Sequence, residues 1–338
     1  GALQGWSGFL EFDYVAELLL DDYNNADGSS PGRNIYPVVA DPDGEDLNQL
    51  YLNYSNGKHF SARLGRQRIL LDNQRFVGGV GWRQNEQTYD GLTLTMSGVM
   101  NATVRYSYVS RVKRIFGERS PAGSHDADIH LLNVAVPINK SWAATPYLYA
   151  IDNDDAAQFS SMTIGARING ELTVGDRPLT LGVDFATQTD AADAPVDYRA
   201  GYFRLDAGLK VSDVLHLGLG YEVLGGDSNE AGKAFRTPLA TLHAFQGWAD
   251  QFLNTPDAGI ADSFASVRYS YDAWSLTGVW HRFQADSGSA DYGSELDMSL
   301  GRRFAGRYDL LVKAALFDAD DPPFVDTSKF WLMLQAGF

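Results

Sequence analysis

The chain has 338 residues, a formal net charge of −16 and no cysteine. Without cysteine there are no disulfides and no thiolate metal sites, which suits export through an oxidising compartment, and the acidic balance argues against nucleic-acid partners. No apolar stretch approaches the roughly 20 residues a membrane helix needs, so a membrane protein of this sequence has to be a closed β-barrel.

Alternating apolar and polar residues recur along the whole chain, the pattern of strands with one apolar side. Residues 5–20 set Leu10, Phe12, Tyr14, Ala16, Leu18 and Leu20 against Glu11, Asp13 and Glu17. A second segment, 47–55, carries Leu50, Leu52 and Tyr54, and Asn56-Gly57 after it is a strong two-residue hairpin signal. Segments at 59–70, 88–97, 102–113, 128–138 and 142–151 follow. In the eighth, 159–174, Met162, Ile164, Ala166 and Ile168 alternate with Thr163, Gly165, Arg167 and Asn169, and Gly175-Asp176 turns the chain. The ninth shows Leu179, Leu181, Val183 and Phe185, the tenth covers 196–211, and the eleventh carries Leu215, Leu217, Leu219, Tyr221 and Val223. Four more cover 260–271, 274–283, 294–304 and 307–317. The sixteenth sets Phe330, Leu332, Leu334, Ala336 and Phe338 against Trp331, Met333, Gln335 and Gly337. A last strand that stops on an aromatic residue resembles the finish of outer-membrane barrels of Gram-negative bacteria.

Every second connection is tight, as at Asn56-Gly57, Gly175-Asp176, Ser212-Asp213, Asp272-Ala273 and Ala305-Gly306. The others are longer, and two, at 21–46 and 226–259, are very long. A soluble sandwich has no reason to keep this alternation, whereas an outer-membrane barrel places short turns on its periplasmic rim and long loops outside. The expected fold is all-β: a transmembrane antiparallel up-and-down β-barrel of about sixteen strands, with fourteen to eighteen compatible. Length alone suggests about two domains, but no linker or composition break divides the chain, so 1–338 is expected to form one domain, with Gly1 read as the start of a mature, exported form. Acidic residues crowd the loops, among them Asp41, Asp43, Glu45, Asp152, Asp154, Asp318 and Asp320. They read as solvated loop charges, because Asp41-Pro42-Asp43-Gly44 lacks the fuller spacing of a calcium loop. No metal site and no cofactor are expected.

Strand parity proposes the lining of the lumen, which at about sixteen strands is wide enough for an aqueous channel. Opposite the apolar side fall Arg63, Arg105, Arg111, Arg167, Arg204, Arg268, Arg303 and Lys313, with carboxylates that include Asp184, Glu222, Glu295 and Asp297. Arginine forks suit planar carboxylates and rings of basic groups favour anions, while the same residues paired with carboxylates would brace the wall. Arg66 and Arg68 break the parity, on the side of Leu64. Either a bulge near Gly65 turns them inward or they sit near the outer rim, where a charge facing lipid costs little. Arg83 in the second loop joins the expected lining, while Arg75 in the same loop and His243, Trp248 and Asp250 in the longest are candidates to constrict the mouth. Arg66, Arg75 and Arg83 are also placed to meet Asp90 or Asp250 and pin these loops inside.

A resemblance to the alginate export family rests on two groups of motifs. The first is Arg63-Leu64-Gly65-Arg66-Gln67-Arg68-Ile69, followed by Asn73-Gln74-Arg75-Phe76-Val77-Gly78, Trp82-Arg83-Gln84-Asn85 and Thr88-Tyr89-Asp90-Gly91. The second is the run from Leu242-His243 through Gly247-Trp248-Ala249-Asp250 to Phe252. The resemblance implies a monomeric outer-membrane barrel, set among lipid and lipopolysaccharide, that passes acidic or other oligosaccharides and related solutes. This chain is shorter than the family's alginate-secreting member.

The expected function is therefore a passive channel for small anionic solutes or acidic oligosaccharides. The alternative is a barrel that sheathes or anchors a partner protein, such as an electron-transfer or surface lipoprotein complex. An enzyme is not expected, since none of the six histidines stands in a Ser/His/Asp pattern, and no catalytic residue is assigned.

Overall fold

The computed structural model describes residues 4–18, 23–26 and 33–337; the expected run of the first strand to Leu20, loop residues 21 and 22, and the terminal Phe338 lie outside them. Sixteen strands follow one another: β1 Trp6–Val15, β2 Gly44–Ser55, β3 Phe60–Gln67, β4 Thr88–Val99, β5 Ala102–Lys113, β6 Ser124–Pro137, β7 Trp142–Asn153 and β8 Ser161–Val174. The second half is β9 Arg177–Asp190, β10 Arg199–Lys210, β11 Leu215–Leu224, β12 Ile260–Tyr271, β13 Trp274–Gln284, β14 Asp291–Phe304, β15 Tyr308–Ala319 and β16 Thr327–Ala336. All belong to one antiparallel sheet in strict chain order. Short 3₁₀ turns are the only helical elements among the described residues. The ends differ from the sequence-based expectation by a few residues: β1 and β3 stop earlier, and β2, β6 and β14 start earlier.

The alternation sets the two faces. Outward stand Leu50, Leu52, Leu64, Ile164, Phe203, Leu217, Leu276, Trp280 and Leu300, all exposed. At the short-turn rim Trp6 packs on Tyr54 at 5.0 Å, Phe304 stacks on Tyr308 at 5.4 Å, and Arg302 lies over Trp274 at 4.7 Å. An apolar band ending in aromatic residues is what a bilayer requires of a barrel's outer wall. The buried residues lie on the other face, in two clusters, one beneath β4–β7 and one beneath β10–β15.

The two ends of the sheet come together at the long-loop rim, where Lys329 of β16 donates to the Val38 carbonyl in the loop after β1 at 2.8 Å. No ladder between β1 and β16 is among the pairings of the described residues, and the apolar groups flanking that seam are the barest on the wall. Phe12, Tyr14, Phe330 and Leu332 are 70 %, 77 %, 74 % and 77 % exposed, against 40 %, 40 % and 41 % for Leu296, Met298 and Leu300 in β14. Hydrocarbon offers unpaired backbone no partners, so a bilayer favours direct pairing of these two edges.

Candidate pore

Two long loops, at 68–87 and 225–259, turn into the barrel and join there. Val77 and Leu239 form a parallel bridge, Gly78 N–H donates to the Leu239 carbonyl at 2.8 Å, and Thr241 N–H donates to the Gln74 carbonyl at 3.0 Å. Tyr89 of β4, fully buried, donates its hydroxyl to the Gly78 carbonyl at 2.8 Å and so ties this junction to the wall. Glycine at position 78 is a steric requirement, since a Cβ there would run into Thr241 Oγ1 and Gln74. Phe76 lies at the centre, its ring 5.3 Å from Tyr147, 5.0 Å from Tyr202 and 5.9 Å from Phe235, and it packs against both buried clusters.

Ion pairs anchor the two loops to the strands. Arg75 Nε donates to Glu222 Oε1 of β11 at 2.7 Å, with the two side chains 0 % and 1 % exposed. Tyr202 donates to the same carboxylate at 2.7 Å, and Arg204 stands 3.5 Å away. Removing one member of such a set leaves a buried charge without a partner, which costs about 3–5 kcal/mol. Asp250 is a second hub, receiving His243 Nδ1 at 2.7 Å, Arg83 at 2.9 Å and Lys329 at 3.1 Å. Burial alone would raise the Asp250 carboxyl; the facing His243, Lys329 and Arg83 more than offset it and hold it below the ordinary carboxylate range. Burial also pushes His243 down to about 4. The neutral ring therefore donates from Nδ1 to Asp250, while its Nε2 accepts from the Lys313 ammonium at 2.6 Å. That places an ammonium where a triad's hydroxyl nucleophile would stand. Lys313 in turn sits over Trp82 at 4.0 Å and Trp248 at 3.8 Å, and backbone N–H groups of Trp248 and Ala249 donate to Asp297 at 3.1 Å and Glu295 at 2.6 Å.

The expected lining residues take different places in the structure. Arg63, Arg105, Arg167, Arg204 and Arg268 face inward with Glu222 and Asp297, whereas Arg75, Arg83, His243, Trp248 and Asp250 are interior anchors of the loops. Arg68 lies just past β3 and turns inward to Glu11 at 3.0 Å and to Glu86. Arg66 and Arg111 are corrections. Arg66 keeps the face of Leu64 and binds Asp90 at 2.7 Å, so of the two alternatives it takes the outer rim. Arg111 changes sides because the register shifts between Val109 and Arg111; Val109 and Val112 are both buried inward, and Arg111 points out to Asp126 at 2.6 Å. Directly opposed positions on four strands thus give an outward row, Arg66, Asp90, Arg111 and Asp126, at the long-loop rim. Arg303 pairs with Asp309 at 2.8 Å on the short-turn rim, largely exposed, and lines no constriction.

Among the inward arginines, Arg204 is bound to Asp206 at 3.0 Å as well as to Glu222. No carboxylate partner within 4.0 Å is found among the described residues for Arg63, Arg105, Arg167 or Arg268. Arg63 lies over the Tyr51 ring at 4.2 Å, and Arg105 donates to the Leu70 carbonyl at 3.1 Å. These two and Arg68 line a cavity of about 530 Å³ along β2–β5, whose other polar walls are Gln49, Asn53, Ser61, Gln67, Thr93 and Thr95. A second cavity, of about 600 Å³, lies under the longest loop and brings Arg204 and Arg268 together with Asp262, His216 and His281. Sequence parity gave no signal for Trp82 and Lys329 as anchors; the repeated alternation of β16, which sets Lys329 beside Trp331, was the available hint.

The sequence matches the model of the alginate export family over residues 15–199. The chain belongs to the alginate export family. No curated protein sequence matches it. Among solved structures, the fold is similar to OccK9 (OpdG) of Pseudomonas aeruginosa at 15 % identity, covering 97 % of this chain and 89 % of that one with a TM-score of 0.69. It is similar to OccK3 (OpdO) of the same organism at 13 % identity, with 85 % and 78 % covered and a TM-score of 0.66. OccAB4 of Acinetobacter baumannii gives 12 % identity, 85 % and 73 % covered, and a TM-score of 0.65. This alginate export family member is thus a Gram-negative outer-membrane β-barrel. Its short turns take the periplasmic rim and its long loops the outer one.

Proposed function

We propose that the protein passes small anionic solutes, acidic saccharides included, by passive diffusion, with the anion held along the β2–β5 wall. The observation that carries this reading is the lumenal cavity lined by Arg63, Arg68 and Arg105 and, among the described residues, by no aspartate or glutamate, in a chain whose net charge is −16. Among the described residues Arg63 and Arg105 have no carboxylate within 4.0 Å, so their charge is available to a passing anion. Arg68, already paired with Glu11 and Glu86, contributes less. Amide and hydroxyl side chains on the same wall replace part of a solute's hydration shell without fixing it in one pose. Binding of that kind is weak enough to release the solute again. The centre of the barrel is occupied by the protein's own loops and two apolar clusters, which favours a narrow side channel over a sheath around a partner protein.

The test is uptake into proteoliposomes holding the purified chain. Galacturonate is expected to enter several-fold faster than galactose, and Arg63→Gln with Arg105→Gln is expected to erase the difference. Equal rates for the two sugars in the unmodified protein would remove the anion preference.

A further inference from the structure

A cavity separate from the lumenal wall opens among the outer loops. It holds about 470 Å³ and is lined by five long connections, those after β1, β3, β5, β7 and β11. Its charged lining is Arg83, Arg114 and Arg236, with no aspartate or glutamate among the described residues. Arg83 is committed to Asp250, with Asp41 at 3.7 Å, though its Nε and Nη1 are buried without hydrogen-bond partners. Arg114 and Arg236 have no carboxylate within 4.0 Å among the described residues. Arg114 lies over the Phe116 ring at 4.7 Å and donates to the Ala122 carbonyl at 3.4 Å. Arg236 donates to the Gly232 carbonyl at 3.0 Å and to that of Gln158. Carbonyls and a ring orient these guanidiniums without neutralising them, so two forks in one cavity keep their full charge. Burial without a nearby carboxylate also pulls Arg114 below its ordinary value. The rest of the wall is largely apolar: Phe116, Phe159, Phe252, Ile115 and Leu242. His243, also on the wall, is neutral at pH 7 and adds no charge.

A hydrated polyol has little to gain from such a wall, because its hydroxyls would be stripped of water against three phenylalanines. A bare inorganic anion would leave the aromatic surface in water. The chemistry that satisfies both halves is an anionic head on an apolar body. We propose that this outer vestibule is a binding site for amphiphilic carboxylates, with the head on Arg114 and Arg236 and an aromatic or aliphatic body against Phe116, Phe159 and Phe252. The inference deepens the anion-passing reading above and rests on it for its biological sense: the vestibule would collect such solutes at the mouth, before the hydrophilic lumenal wall. The cavity volume lies within the range of sites that enclose a small organic molecule.

The test is isothermal titration of the full chain in detergent micelles with 3-phenylpropionate, 3-phenylpropanol and gluconate. Saturable binding of 3-phenylpropionate is expected, at least tenfold tighter than either comparator. Arg114→Gln and Arg236→Gln are each expected to weaken it at least fivefold, and Arg236→Lys less than Arg236→Gln. Heat-modifiable migration on a denaturing gel shows that each variant is folded. Equal binding of the alcohol or of gluconate would overturn the proposal, as would wild-type affinity in a folded double variant. Conductance of the unmodified protein in potassium chloride is recorded separately: conductance without selective binding defeats the vestibule site alone, and absence of conductance defeats the channel reading alone.

Discussion

Arg75 and Glu222 stand 147 positions apart in the chain and meet at 2.7 Å in the middle of the barrel, both almost wholly buried. The contact fixes the second loop to β11, and Tyr202 and Arg204 complete the set. Replacing Arg75 by Met leaves Glu222 with Arg204 and Tyr202 but removes the loop's anchor, at an expected cost of about 3–5 kcal/mol for a buried pair broken on one side. The wall itself is held by its fifteen consecutive ladders and should survive. Limited proteolysis of Arg75→Met should therefore cut within 68–87 or 225–259 while the barrel still migrates as folded. Protection equal to that of the unmodified protein would show that the pair does not hold the loop.

Acidification should loosen the same region through His243. Burial lowers this group from its ordinary 6.5 to about 4, with Asp250 and Lys313 facing its two nitrogens and Trp82 stacked on its ring at 5.3 Å. Between those two values an undocked loop binds a proton that the docked loop does not. The docking stability is therefore complete above pH 6.5 and is lost as pH falls toward 4, by up to about 3 kcal/mol. Asp250, held below its ordinary 3.8, adds to the loss only below that value. Amide exchange across 242–252, corrected for the intrinsic rate, should be faster at pH 5 than at pH 7. A rate independent of pH in this window would contradict the assignment of a neutral, buried histidine.

The outward row offers a control for selectivity. Arg111 points away from the lumen, so Arg111→Gln should leave the ion preference of the channel unchanged. Arg105→Gln, six positions earlier on the inner face of the same strand, should reduce it. Exposed ion pairs contribute about 0–1 kcal/mol, so loss of the Arg111–Asp126 contact should not unfold β5. An equal effect of both variants in bilayer recordings would place Arg111 back in the lining.

The seam makes a further expectation measurable. If β1 and β16 pair in a lipid-like environment, their amides should exchange as slowly as those of β8 and β9, which share a ladder from Ser161–Asp190 to Val174–Arg177. Fast exchange confined to β1 and β16 in micelles would mean that the wall stays parted there.

Much of the architecture was legible in the sequence because a barrel repeats one rule. The alternation of Leu215, Leu217, Leu219 and Tyr221, or of Leu276 and Trp280 outside with His281 inside, records a two-sided environment residue by residue. Tight turns such as Asn56-Gly57 mark where it reverses. Parity fails where a residue is inserted, and Arg111 shows this: the register shift after Val109 leaves no mark in composition, so the charge was assigned to the wrong face. Of the pairs expected to pin the loops inside, Arg83 with Asp250 is there, whereas Arg66 meets Asp90 on the outward face and pins no loop. Arg75 chose Glu222 instead, because inward folding of a loop is decided by contacts remote in sequence. The vestibule was invisible for the same reason, since Arg114 and Arg236 stand 122 positions apart and meet only in the folded barrel.

The most direct measurement is the zero-current potential of single channels in a planar bilayer under a tenfold potassium chloride gradient. An anion-preferring pore gives a potential of the sign that marks chloride as the faster ion, shifting toward zero in Arg63→Gln/Arg105→Gln. A potential marking potassium as the faster ion, or a folded protein that conducts no current, would contradict it.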